Sequence, residues 1–158
     1  MSASRIMTFI SALQSAFHQH LECAVNAGKP VAEQRHGGFV CVFHHTHVVG
    51  CPPELLMRYG EPDAKKALHY AQLCEEKARR LAQNPQHLSS WQSRDEKLDR
   101  WGGAIRVPDY IISFSGLPEL ADEALMLKTA LVLRVIDLRY ANKVADLSNN
   151  TIFRQLRP

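Results

Sequence analysis

No apolar run in this 158-residue chain reaches the roughly 20 positions that a membrane-spanning helix needs. The most apolar stretch, residues 124 to 138, is broken by Lys128, Arg134 and Asp137. No membrane span is expected. The opening "MSASRIMTFISALQSAF" also lacks the uninterrupted apolar segment of a secretory signal, because Ser11, Gln14 and Ser15 cut it, so the expected location is cytoplasmic. Cysteine is sparse: residues 23, 41, 51 and 74 form no CxxC pair and no metal-finger spacing, and read as reduced thiols filling small core positions. Charge of one sign is lacking too. A net charge of +3, dispersed along the chain, supplies no phosphate-binding stripe, so no nucleic-acid partner is expected. There is no nucleophile elbow, HExxH, Walker loop or dinucleotide fingerprint, and Ser115 has no assignable His-Asp pair. The motifs therefore give no reason to assert or to deny an enzyme.

What is present is the composition of one ordinary domain, 46% hydrophobic and 22% charged, spanning residues 1 to 158. Ile6, Phe9, Ile10, Leu13, Phe17, Leu21, Ala24 and Val25 recur at helical spacing, and "AGKP" supplies a stop, which predicts a helix from Ser4 to Ala27. "GGFVCVFHHTHVV" reads as a strand closed by "GCPP". From Asp63 to Gln83, Ala67, Ala71, Cys74, Ala78 and Leu81 mark an amphipathic helix, and residues 84 to 100 read as a loop or short irregular helix anchored by Leu88 and Trp91. "AIRV" and "YIISF" around Pro108-Asp109 predict a hairpin. A last helix, with Glu119, Asp122 and Glu123 at its positive end, is expected to run to about Leu147, and residues 148 to 158 to form a tail. Because that helix is apolar on most sides, it needs cover from the sheet and from a neighbouring subunit, so a homo-oligomer is expected. The order is helix, strand or hairpin, helix, loop, hairpin, helix: an α+β domain with a small antiparallel sheet and long helices packed against it.

Candidate site residues fall in two places. Gly102 and Gly103 precede the hairpin, while Ser115-Gly116 leaves its second strand and feeds a helix amino terminus, where free N–H groups of residues 117 to 120 (Pro118 excepted) favour an anion. The alternative is that Ser115 and Asp122 cap their own helix. Lys77 lies near the edge of the apolar stripe, placed either to snorkel outward or to reach a pocket beside the hairpin. In "HHTH", His45 and His47 share one strand face at a spacing that suits one metal ion or haem iron, with Cys41 and Phe43 along the same face; no third ligand is fixed by spacing.

The segment from Arg58 to about Ala130 resembles the GlcG/HbpS-like domain family of haem-degrading or haem-binding type, which includes the C-terminal domain of PduO-type proteins. The resemblance rests on "ALHYAQLCEEKARRLAQ" with Lys77 and Ala78, then Gly102-Gly103, a hairpin, Ser115-Gly116, and Asp122 seven residues after the serine. Two departures stand out: the strand "YIISF" has no glycine, and "FHHTHVVGCPP" replaces the family's Asp-Gly turn. The resemblance implies a profilin-like architecture, assembly into rings, and an anionic small ligand, haem or a related tetrapyrrole, near Lys77, Gly102, Gly103, Ser115, Gly116 and Asp122. On the same scaffold, a structural or interaction protein without ligand and a metal-dependent enzyme using His45 and His47 are the rival readings.

Overall fold

The computed structural model describes residues 1–27, 35–46 and 50–156. In chain order the elements are α1 (Ala3–Asn26), β1 (His36–His44), β2 (Leu55–Glu61), α2 (Ala67–Ala82), β3 (Ala104–Arg106), β4 (Tyr110–Ser115), α3 (Glu119–Val132), α4 (Leu138–Leu147) and α5 (Thr151–Leu156), with two short 3₁₀ turns at Ser90–Ser93 and Glu96–Leu98. The four strands form one antiparallel sheet in the order β2-β1-β4-β3. The α+β class is that read from the sequence.

Alternation along β1 and β4 sends side chains to two different cores. Val40, Val42, Ile112 and Phe114 join Phe9, Leu13, Phe17, Leu125 and Phe153 in the larger one, packed under α1, α3 and α5. Cys41, Phe43 and Ile111 face the other way and meet Cys74, Ala78 and Leu81 of α2 in the smaller one. The sheet is thus a middle layer, and both central strands are buried on both faces. β2 is an outer strand whose alternate residues, Leu56 and Arg58 among them, face solvent. Its register with β1, Val42 opposite Leu55 through His36 opposite Glu61, settles the open choice between strand and hairpin in favour of a hairpin.

Three expectations change. β1 ends at His44, so His45 and Thr46 lie in a turn rather than on a continuing strand. The long last helix is two helices, α3 and α4. α3 stops at Val132 because Arg134 adopts a left-handed conformation (φ 56°) and the N–H of Val135 returns to the carbonyl of Ala130 at 3.1 Å, a Schellman closure built without glycine. Asp137 then caps α4 by accepting the N–H of Tyr140 at 2.8 Å. A second closure of the same kind at Asn149 (φ 51°) ends α4, and Asn150 caps α5 through the N–H of Phe153 at 2.9 Å. The expected tail from residue 148 therefore includes a packed helix, with Phe153 and Leu156 buried. α1 and α5 both pack against α3, and residues 121 to 130 are all buried within the chain.

Candidate functional site

The segment predicted to deliver a helix start to a recess folds as a two-stranded ribbon running into α3. At its centre is a charged pair sealed from water. Lys77 Nζ donates to Asp122 Oδ2 at 2.8 Å and to the Phe114 carbonyl at 3.0 Å, and both side chains are about 1% exposed. The other Asp122 oxygen accepts the N–H of Leu117 at 2.9 Å. Lys77 therefore turns inward instead of snorkelling, and Asp122 accepts the backbone N–H of Leu117 just ahead of its own helix, whose Pro118 start has no side-chain cap. Leu117, one of the amides expected to greet a ligand, is already used.

Glycine is needed at 103. The residue sits at φ 120°, and a Cβ there would lie 2.8 Å from both Lys77 Nζ and the Asp122 Cβ. Gly102 lies against Trp91 and donates its N–H to Glu119 at 2.9 Å. Ser115 is buried opposite Phe39 of β1, and Gly116 packs on the backbone of Gly37 and Gly38. Lys77, Gly103 and Asp122 thus meet in one buried polar node, with Gly102 against Trp91 and Glu119 and with Ser115 and Gly116 against β1. Burial raises the Asp122 carboxyl to about 6; Lys77, the Leu117 N–H and Arg35 pull in the opposite direction.

The other two acidic residues of the α3 start are equally engaged. Glu119 receives both Nε and Nη2 of Arg94, at 3.2 and 2.7 Å, and the Arg94 guanidinium lies over Trp91 and Trp101. Glu123, fully buried, accepts the hydroxyls of Ser89 and Ser148 and the amide of Asn150, and burial raises its pKa. Arg80 is 6% exposed and holds Glu76, the Ser90 carbonyl and the Trp101 carbonyl together. Nothing in helical spacing separates Arg80 from Arg79; only the loop folded over it does.

Beside this node, a recess of about 110 Å³ opens between the second half of α1, the Leu117-Pro118 start of α3, and α5, with Arg35 at its margin. Its volume admits a carboxylate or phosphate group. In the turn after β1, the His45 ring stacks on His44 with centroids 4.7 Å apart, and its Nδ1 lies 3.0 Å from the Asp109 carbonyl. His47 lies outside the described residues. Among the described residues, no group of three or more His, Cys, Asp or Glu side chains is placed to hold a metal ion, and no helix is long and apolar enough to cross a membrane.

The fold and site define a class: an α+β domain whose sheet, one-helix cover and helix-start node are locked by a buried lysine–aspartate pair. No family model matches the chain, and no curated protein matches it. Among solved structures, the crystal structure of the Klebsiella pneumoniae protein ORFY, assigned to the DUF336 family model, aligns over 87% of this chain and 92% of its own at 12% identity and a TM-score of 0.46. A likeness so distant transfers no residue role and no activity.

Proposed function

We propose that the protein is a small-ligand-binding domain of the GlcG/HbpS type, in which the Lys77–Asp122 node is structural and the anionic end of a ligand enters the neighbouring recess. The order Lys77, Gly102-Gly103, Ser115-Gly116, Asp122 supports the kinship. The observation that carries the binding role is the position of Arg35, exposed at the margin of the recess and close enough to pull on the Asp122 carboxyl. An anion there would meet the guanidinium and the positive end of α3 together.

Burial of the node favours one rival: a structural or interaction protein on the same scaffold, carrying no ligand. Titration with inorganic phosphate, followed by calorimetry, separates the two. Saturable binding that Arg35→Gln weakens at least several-fold supports the ligand reading; no heat from phosphate with wild type leaves the scaffold reading. A parallel hemin titration tests the cofactor, and a Soret shift that phosphate reverses would extend the site to a propionate-bearing tetrapyrrole lying across the recess. Self-assembly belongs to the same proposal. With α3 covered internally, its support is the exposed group Val132, Val135 and Leu138 at the α3–α4 bend. A light-scattering mass above the 17.8 kDa of one chain supports it, and a monomer removes it.

A further inference from the structure

A second concavity lies at the opposite end of α1 from the recess. There the first turns of α1 and the β3–β4 turn flank a groove of about 530 Å³. Its floor is Phe9, Val42 and Ile112, each between 2% and 5% exposed. The apolar surface open to a ligand lies on the wall above that floor, where Leu133 is half-buried and Val135 is 43% exposed. Two donors stand on the rim. Arg5 Nη1 reaches the Tyr110 hydroxyl oxygen at 3.5 Å, leaving the phenolic O–H free to donate elsewhere, and Arg5 has no acidic partner within ion-pair distance among the described residues. Asp109, at the tip of the turn, is the one acidic side chain in the lining.

We infer that this groove binds a straight-chain aliphatic carboxylate, its chain against Leu133 and Val135 above the Phe9, Val42 and Ile112 floor and its head group on Arg5 and Tyr110. An apolar floor with convergent donors at one end matches an amphipathic anion. Asp109 makes the contrary case, an amphipathic cation, and so sets the control. The groove is separate from the Arg35 recess and stands or falls apart from it.

Calorimetric titration with decanoate and with decylammonium, each below its micelle-forming concentration, tests the assignment. Decanoate is expected to bind one to one, at least tenfold more tightly than decylammonium, and without displacement by inorganic phosphate. Arg5→Gln should weaken decanoate about tenfold, the loss of one charge-assisted contact. Thr8→Trp, at an exposed position on the groove wall, should abolish binding with the fold intact by circular dichroism. Equal or tighter binding of decylammonium, displacement by phosphate, unchanged binding in Thr8→Trp, or no saturable binding at all would overturn it.

Discussion

Lys77 and Asp122 hold each other in a place that water does not reach, so either one alone would be a bare buried charge. Replacing Lys77 by Met should cost about 3–5 kcal/mol, because the carboxylate is left uncompensated. Urea unfolding measures this. The double change Lys77→Met/Asp122→Asn keeps an acceptor for the Leu117 N–H while removing both charges, and should recover most of the loss; a double variant as weak as the single one would contradict the pairing. The same pair sets a pH dependence. Burial raises Asp122 from 3.8 to about 6, so between those values the folded protein binds a proton that the unfolded chain releases. The resulting stabilisation is fully present below about pH 3.8 and is lost as pH rises to 6. One proton limits the slope to about 1.4 kcal/mol per pH unit. Melting curves of wild type and Asp122→Asn should therefore converge or diverge only across this window, and run parallel above it. The sequence brought these residues together on paper, through glycine and serine punctuation that a tight ribbon and helix start require. It could not say that Lys77 points inward, because a lysine at a stripe edge has both directions open until a carboxylate is folded against it.

At the scale of elements, periodicity marks α1 and α2 and the Pro108-Asp109 turn marks the β3–β4 hairpin, while the strand β2 has no sequence signal of its own. β2 went unassigned as "LLMRYGE", since its outward residues are not β-branched and Pro52-Pro53 precede it. The larger difference is the last helix. Sequence reading relies on Gly or Pro to end a helix, and here Arg134 and Asn149 occupy the left-handed stop positions, so the apolar run looked continuous. An arginine held at φ 56° carries a steric cost of about 1–2 kcal/mol that glycine avoids, partly offset by glycine's greater freedom when unfolded. Arg134→Gly is expected to stabilise the protein by up to about 1 kcal/mol, seen as a higher melting temperature. Removing the next signal should act the other way: Asp137→Ala deletes the acceptor for Tyr140 and should cost about 1 kcal/mol.

For the whole molecule, the decisive feature is how chain segments far apart in sequence are fastened at one end of the sheet. The helix-start carboxylates each collect a different segment: Glu119 takes Arg94 from the loop, Asp122 takes Lys77 from α2, and Glu123 takes Ser89, Ser148 and Asn150. Glu123 thus joins the loop after α2 to the α4–α5 turn. Three donors facing one buried carboxylate lose their acceptor together if it is removed, and an unsatisfied buried donor costs about 1–3 kcal/mol. Glu123→Ala should then lower global stability by several kcal/mol. A more discriminating readout is native-state hydrogen exchange, in which the amides of Ser90–Ser93 and of α5 should lose protection in parallel while those of β1 and β4, buried on both faces, keep theirs until global unfolding. Faster exchange in α5 alone would mean that the loop is held by Arg80 and Arg94 without help from Glu123, and that the loop and α5 open independently.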